Sequence, residues 1–209
     1  AIGNSLLISL TTTALAVLVG VFTAYALARL DFPGKGIVTG IILAASMFPG
    51  IALVTPLFQL FGDLGWIGTY RAMIIPNISF ALPLTVYTLI SFFQQLPWEL
   101  EEAARVDGAT RGQAFRLVLL PLAAPAIFTT AIIAFITTWN EFMLARQLSN
   151  TSTEPVTVAI ARFSGPSAFE YPYAAIMAAG SLVTVPLIIM VLIFQRRIVA
   201  GLTAGGVKG

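Results

Sequence analysis

Five long stretches of this sequence contain no Lys, Arg, Asp or Glu, and they constrain the fold more than any other feature. A helix needs about 20 apolar residues to cross the hydrocarbon core of a bilayer, and each stretch is long enough. Strands of a membrane β-barrel would be roughly ten residues long and would alternate polar with apolar residues. The sequence therefore predicts an all-α, polytopic transmembrane helix bundle with spans at 5–28, 37–61, 72–96, 117–140 and 171–195.

The composition agrees with a membrane protein and excludes several kinds of site. Of all residues, 58% are hydrophobic and 10% are charged, whereas soluble domains carry about a quarter charged residues. The chain has no Cys and no His, which excludes thiol chemistry, imidazole general bases and the usual zinc sites. Nucleic-acid binding would require a clustered basic surface, and the sequence contains none.

The basic residues indicate the orientation, because cytoplasmic connections carry an excess of Lys and Arg. If the connection at 29–36 is cytoplasmic, eight of the 11 basic residues fall on the cytoplasmic side. We therefore expect a multi-pass protein of the cell (inner) membrane. Its polar insert at 97–120 and its tail at 196–209 would face the cytoplasm, and the loop at 147–172 would be extracytoplasmic.

The start of the chain bears on its organisation. Ala1 directly precedes a predicted span, with no initiator Met, basic leader or signal peptide. Since the predicted topology places this end outside, we expect an earlier transmembrane helix upstream. Residues 1–209 are expected to form a single transmembrane domain.

The insert at 97–120 predicts two short helices. Pro97 suits a first helical turn, three nearby glutamates favour the positive end of a helix, and Gly108 supplies a stop. Thr110 and Gln113 have the spacing of a capping box, which would begin the second helix. We expect a compact projection that could dock into a groove on a soluble protein. The alternative is an amphipathic helix lying on lipid, although anionic head groups would repel the glutamates.

Polar residues in the predicted spans are candidates for a translocation path. Asn77 and Asn140 are amides inside spans, and Trp139 and Glu141 flank the second of them. A carboxylate in a membrane usually faces the bundle interior or a water-filled cavity. A charge at the membrane rim is an equal alternative for Glu141, because it lies at the end of its span. Helix-breaking prolines support a bundle with an interior path; they are Pro49, Pro56, Pro76 and Pro83.

The insert resembles a known family signature. A Glu-Ala-Ala run followed by Asp-Gly-Ala, a Phe and a Pro at fixed distances is similar to the permease subunits of binding-protein-dependent ABC importers. Three further segments, at 27–35, 139–142 and 195–209, resemble the carbohydrate branch of maltose/trehalose type, and especially actinobacterial trehalose importers. The signature positions here are Glu102, Ala103, Ala104, Asp107, Gly108, Ala109, Phe115 and Pro121.

The resemblance implies an ATP-driven importer of a disaccharide such as trehalose. Its partners would be a second permease, two ATPase subunits and an extracytoplasmic sugar-binding protein. The signature positions would form the coupling helix that docks into the ATPase, with Glu102 meeting a basic or amide group. The segment 139–142 would lie near the translocation path. ATP and Mg would be bound by the ATPase, so this subunit would have no catalytic residue, metal or cofactor of its own.

The length of the predicted extracytoplasmic loop suggests that it has a function of its own. A loop as long as 147–172 is uncommon without a role, and residues near 151–167 are expected to reach the binding protein.

An ion- or proton-coupled secondary transporter is the main alternative function. Such proteins show inverted repeats and midplane ionisable groups, whereas this chain shows no evident repeat. A purely structural membrane subunit would leave the prolines and the insert unexplained.

Overall fold

The computed structural model describes residues 1–163 and 172–206, with side chains described up to Ile193. Within these ranges the protein is helical and contains no strand. The helices are α1 (Ile2–Arg29), α2 (Lys35–Ser46), α3 (Val54–Asp63), α4 (Tyr70–Gln95), α5 (Glu99–Val106), α6 (Arg111–Ala114), α7 (Leu120–Trp139), α8 (Met143–Leu148), α9 (Val156–Ala161) and α10 (Tyr173–Gly206). A 3₁₀ turn at Gly50–Leu53 precedes α3, and a π turn at Phe115–Leu119 joins α6 to α7.

Four of the five predicted spans are continuous helices in the described part of the chain. Helical stretches long and apolar enough to cross a bilayer cover Ile2–Arg29, Tyr70–Gln95, Arg111–Trp139 and Tyr173–Ile193. The helix-bundle fold predicted from the sequence is therefore confirmed.

The span predicted at 37–61 is not one straight helix. It is a pair, Lys35–Ser46 and Gly50–Asp63, bent by 87°. The break falls at Pro49, whose backbone is extended at φ −69° and ψ 108°. Proline lacks the backbone N–H of a helix and disfavours helical geometry in the residue before it, so the helix ends there. Helix α4 runs unbroken past Pro76 and Pro83, so these two prolines do not end a helix.

The residues group into two compact units. The first unit comprises Ala1–Ala14, Phe48–Ala81 and the described residues from Ala134 to Ile193. The second comprises Leu15–Met47, Leu82–Ile133 and the end of α10. Helices α1, α4 and α7 each contribute residues to both units.

Each unit has its own apolar core. In the first unit the core is built around Ile8, Phe61, Met73, Leu144 and Leu148, with a second cluster around Phe135, Trp139 and Val156. In the second unit, aromatic and small side chains pack together, including Tyr25, Phe93, Phe115, Ala24 and Ala28. Small residues permit close helix approach: a Cβ at Gly20 would lie only 2.5 Å from the Thr85 methyl carbon.

Candidate functional site

The insert begins with helix α5, which ends as the sequence predicts. Glu99, Glu101 and Glu102 occupy its first turn, where a helix is electrostatically positive. Gly108 then adopts φ 90°, a left-handed conformation that favours glycine. The Gly108 N–H donates to Arg105 O at 3.1 Å, and the Ala109 N–H donates to Ala104 O at 3.0 Å. These two bonds form a Schellman motif, so the predicted stop at Gly108 is confirmed.

Helix α6 begins with the predicted capping box. The Gln113 N–H donates to Thr110 Oγ1 at 3.3 Å, and the Thr110 N–H donates to Gln113 Oε1 at 2.8 Å. The two side chains thus satisfy backbone groups that a helix start would otherwise leave unpaired. The insert is therefore two helices with well-formed ends rather than an irregular loop.

Six of the seven predicted coupling residues lie at the surface of the insert. Glu102, Ala103, Asp107 and Gly108 are exposed, and Ala104 and Ala109 are half-buried. Val106 beside them is 86% exposed, so an apolar side chain also lies on this surface. The exposed face combines carboxylates, small residues and one aliphatic group, and it could accept a complementary partner.

Phe115 has a different place from the other six. Its side chain is only 6% exposed. The ring centroid lies 4.4 Å from that of Tyr25, 5.7 Å from that of Phe22 and 6.3 Å from that of Phe93. In this conformation Phe115 therefore does not present its ring to a partner, and it anchors the insert to α1 and α4 instead.

Arg29 is a buried charge that the sequence analysis did not single out. It is 4% exposed, its Nε donates to Phe93 O at 2.9 Å, and its Nη2 donates to Leu96 O. Its guanidinium also lies 4.4 Å from the ring centroid of Trp98. A cation at this point satisfies the last carbonyls of α4 and stacks on an aromatic face. Arg29 thereby ties the end of α1 to the end of α4 and to the residue before α5.

Glu101 is the second such residue. It is 6% exposed, although its neighbours Glu99 and Glu102 are exposed. The Tyr25 hydroxyl donates to Glu101 Oε1 at 3.2 Å. Tyr25 and Arg29 are four residues apart and therefore lie on one face of α1. This spacing is the signal in the sequence that could have pointed to the buried Glu101.

In the first unit, two of the four predicted path residues line the same cavity. Asn77 and Glu141 border a cavity of about 10 Å³, together with Ser5, Ser9 and Thr138. A space of this size and polarity can hold one water molecule. The cavity is far smaller than a sugar ring in this conformation.

The other two predicted path residues are not part of that cavity. Trp139 is 1% exposed, and its ring stacks on Phe135 with a centroid separation of 5.6 Å. Asn140 is exposed, and its Nδ2 donates to Ile136 O at 2.9 Å within the same helical segment. Trp139 is therefore a core residue here, while Asn140 is available at the surface of the chain.

Glu141 follows the end of the span at Trp139 and begins the corner between α7 and α8. The backbone N–H groups of Leu144 and Ala145 donate to its Oε1 and Oε2 at 2.8 and 3.0 Å. The carboxylate therefore satisfies the unpaired N–H groups at the start of α8. Burial raises the pKa of Glu141, although these backbone hydrogen bonds oppose the shift.

The Glu141 side chain also borders a second, wider cavity. This cavity has a volume of about 240 Å³ and is mainly apolar. Its lining includes Phe80 and the residues that follow the break at Pro49. An aromatic face beside a carboxylate is the kind of surface that a polyhydroxylated ring can contact. The other lining residues are Gly50, Ile51, Val54, Met143 and Leu144.

The described part of the loop predicted at 147–172 forms an ordered corner with Asn4 and Tyr70 rather than a free connection. Asn4 Nδ2 donates to Ser152 O and to Glu154 O, each at 3.0 Å. The Tyr70 hydroxyl donates to Asn4 Oδ1 at 2.8 Å, and the Thr157 hydroxyl donates to Glu141 O at 2.8 Å. The segment that the sequence predicts to reach a binding protein falls partly at 164–171, which lies outside the described residues.

The tail is described only in part. The backbone of α10 is helical through Gly206, and the side chains beyond Ile193 lie outside the described residues, as do residues 207–209. The expected cytoplasmic location of 196–209 stays a prediction.

The sequence of this chain is similar to those of known transport proteins. The family described as "Binding-protein-dependent transport system inner membrane component" matches residues 16–203. The trehalose transport system permease protein SugB of Mycobacterium tuberculosis is 53% identical over 207 residues, which are 99% of this chain and 76% of that protein. The trehalose/maltose transport system permease protein MalG of Thermococcus litoralis is 43% identical, over 99% of this chain and 74% of its own length.

Solved structures show the same fold. A bacterial ABC transporter involved in the import of the acidic polysaccharide alginate superposes with a TM-score of 0.76 at 23% identity, covering 93% of this chain and 72% of that chain. The MetNI methionine ABC transporter superposes with a TM-score of 0.75 at 20% identity, covering 95% and 93%. From the family match, the relatives and the helical architecture together, this chain belongs to the inner membrane components of binding-protein-dependent transport systems.

Proposed function

We propose that this chain is a permease subunit of an ATP-driven disaccharide importer, with trehalose as the favoured cargo. The observation that carries the proposal is its 53% identity to a mycobacterial trehalose permease over 99% of the chain. A second relative at 43% identity is named for trehalose and maltose. The proposed cargo is a glucose disaccharide, taken from an extracytoplasmic sugar-binding protein and passed through a path shared with a second permease.

In this proposal the insert docks into the ATPase subunits. Its exposed face carries Glu102, Ala103, Asp107 and Gly108, and the last two form the turn between α5 and α6. Small residues permit close approach, and the carboxylates suit a basic or amide partner. The insert is anchored to the spans by Phe115, Glu101 and Arg29. A movement of the ATPases is therefore transmitted to α1 and α4.

The translocation path is proposed to pass beside Asn77 and Glu141. Sugars are neutral and polyhydroxylated, so their path requires hydrogen-bonding groups with some aromatic surface. Glu141 borders both the polar cavity and the wider one that contains Phe80. In another transport state these two spaces could be exposed to sugar in succession. The permease itself makes and breaks no covalent bond, because ATP and Mg are bound by the ATPase.

Uptake by cells that lack and then regain this gene tests the cargo. Radiolabelled trehalose is supplied with an excess of unlabelled trehalose, maltose, sucrose or lactose as competitor. We expect unlabelled trehalose to suppress uptake most strongly. Equal suppression by an unrelated sugar would overturn the assignment of trehalose, and uptake that persists when the partner ATPase carries an inactivating substitution would favour a secondary transporter.

Docking is tested separately by charge reversal. Glu102→Lys should reduce the amount of ATPase that co-purifies with the complex, because it places a cation where an anionic contact is proposed. Asp31→Lys is the matched control, since Asp31 is also exposed but lies outside the insert. Equal ATPase retention by the two variants would contradict docking through Glu102.

A further inference from the structure

Four side chains at the junction of α1 and the insert form a polar cluster that goes beyond the docking surface, and three of them are buried while Trp98 is half exposed. The Arg29–Glu101 cluster consists of Tyr25, Arg29, Trp98 and Glu101, all in the second unit. Tyr25 and Arg29 come from the end of α1, while Glu101 comes from the first turn of α5 and Trp98 directly precedes that helix. The cluster is therefore the polar connection between a transmembrane span and the helix proposed to meet the ATPase.

The two charges in this cluster do not pair with each other in the present arrangement. Arg29 donates to the carbonyls of Phe93 and Leu96, and Glu101 accepts from Tyr25. Among the described residues the ion pairs are Lys35 with Asp31 and Arg162 with Glu154, and Arg29 with Glu101 is not one of them. A buried cation and a buried anion thus lie in one cluster but bind other groups.

Each charge also keeps one atom unused. Arg29 Nη1 and Glu101 Oε2 are buried and have no hydrogen-bond partner within the described part of the chain. A charged group that is buried with an unsatisfied atom carries a desolvation cost. The two free atoms are a donor and an acceptor of opposite charge, and the two groups attract each other electrostatically. A shift of α5 along α1 that brings these two atoms together would let each satisfy the other.

We propose that Arg29 and Glu101 form a two-position contact that links the state of the coupling helix to that of the spans. In the position described here, Tyr25 holds Glu101, and the α4 carbonyls together with Trp98 hold Arg29. In the second position, reached when the ATPase pair closes and moves α5, Arg29 and Glu101 pair directly. This inference rests on the proposed function, because it takes the movement of α5 from ATPase docking.

Glu101 and Tyr25 are positioning residues in this scheme, and they stabilise opposite positions. Removing the charge of Glu101 weakens the paired position but leaves an oxygen that can accept from Tyr25. Removing the Tyr25 hydroxyl weakens only the present position and frees the carboxylate to pair with Arg29. A fixed structural anchor would respond in the same direction to both changes.

The test measures ATP hydrolysis without sugar and sugar uptake per ATP, using the complete complex in proteoliposomes. We expect Glu101→Gln to lower hydrolysis and uptake per ATP, and Tyr25→Phe to raise sugar-independent hydrolysis, each by roughly fivefold or more. Glu99→Gln is the matched control, since Glu99 lies in the same helical turn but is exposed. Changes of the same sign in Glu101→Gln and Tyr25→Phe, or no change in either, would overturn the two-position contact.

A distance measurement supports the kinetic test and does not depend on activity. Because the chain has no Cys, Tyr25→Cys with Glu101→Cys can be introduced into a complex whose partners also lack Cys. We expect a short thiol crosslinker to join the two positions in the absence of nucleotide, and the yield to fall when a non-hydrolysable ATP analogue closes the ATPase pair. A yield independent of nucleotide would show that α5 does not move along α1, and would overturn the proposal.

These outcomes are distinguishable from a failure of the proposed function. If the wild-type complex does not bind its ATPase or import a disaccharide, the proposed function fails before any variant is compared. If the wild type does both and Glu101→Gln behaves like Glu99→Gln, the importer stands and only the two-position contact is lost.

Discussion

The insert and the corner around α8 and α9 are both built from short helices, but they are held in different ways. In the insert, the helix ends are fixed by bonds between close neighbours, such as Thr110 with Gln113 and Ala109 with Ala104. In the corner, Asn4 binds backbone atoms of Ser152 and Glu154, which are 148 and 150 residues away in sequence. The helix ends of the insert depend on neighbouring residues, whereas the corner combines local bonds, such as those that Asn150 Oδ1 accepts from Ser152 and Thr153, with long-range support from α1.

Gly108→Val should have the largest effect, because it disrupts the turn that ends α5 and separates it from α6. Valine at φ 90° is strained, and the left-handed conformation costs about 1–2 kcal/mol even for a residue without a branched side chain. We expect uptake to fall by more than about tenfold, since 1.4 kcal/mol already corresponds to a factor of ten in an equilibrium. Membrane insertion should be unchanged, and both are measured in the same cells.

Gly112→Val is the control for that change. Gly112 lies in α6 without a positive φ, and a Cβ there would meet no atom within 4 Å. Similar uptake by the two variants would show that the conformation of Gly108 is not what the insert requires.

Asn4→Leu should be next, because it removes the long-range support of the corner. The Asn4 side chain takes part in hydrogen bonds with Ser152 O, Glu154 O and the Tyr70 hydroxyl. These bonds are exposed or half-buried, so each contributes about 0.5–1.5 kcal/mol, and their combined loss is larger than the loss of any one of them. We expect a clear drop in the melting temperature of the detergent-purified protein. Asn140→Leu, which removes one bond within a single helical segment, should lower it less, and the reverse order would contradict this account of the corner.

Glu141 allows the corner to be examined through pH. Because burial raises its pKa above the ordinary value of 4.5, the folded protein binds a proton more tightly than the unfolded chain does. Its contribution to stability is therefore complete below pH 4.5 and is lost as pH rises through the folded-state pKa. Glu141→Gln should remove this part of the pH dependence, measured as melting temperature against pH. An unchanged profile would mean that Glu141 does not titrate in this window.

The smallest expected effect concerns access from water. Asn140 is exposed and Asn77 is buried, so a water-soluble thiol reagent should label a cysteine at 140 readily and one at 77 slowly. Neither substitution is expected to change assembly of the complex. If sugar or ATP alters labelling at 77, the polar cavity opens during transport; labelling at 77 that equals labelling at 140 in every state would contradict the burial described here.

The sequence predicted the parts of the protein that depend on local signals. The long apolar helices, the stop at Gly108 and the capping box at Thr110 all follow from neighbouring residues, and all three are confirmed. Pro49 marks a possible helix break in the sequence, and the span bends there. A proline alone does not predict such a break, because α4 continues past Pro76 without one.

The remaining features depend on which distant residues meet. Glu101 and Glu102 are adjacent and chemically identical, but Glu101 is buried and bound by Tyr25 of α1, while Glu102 is exposed. Phe115 belongs to the family signature, but its burial depends on the aromatic rings of α1 and α4. Asn77 and Glu141 meet at one cavity because two helices bring them together, which no spacing in the sequence indicates.

The π turn at Phe115–Leu119 has a consequence for how this gene can vary. A π turn closes its hydrogen bonds over five residues instead of four, so it contains one residue more than regular winding requires. Loss of one codon elsewhere in a span rotates every following side chain by about 100°, because a helix has 3.6 residues per turn. Loss of one codon inside this turn instead restores regular winding and leaves α7 in phase. We therefore expect a one-residue deletion at this turn to disturb the packing of α7 less than a one-residue deletion elsewhere in the span, although it would shorten the signature spacing between Phe115 and Pro121.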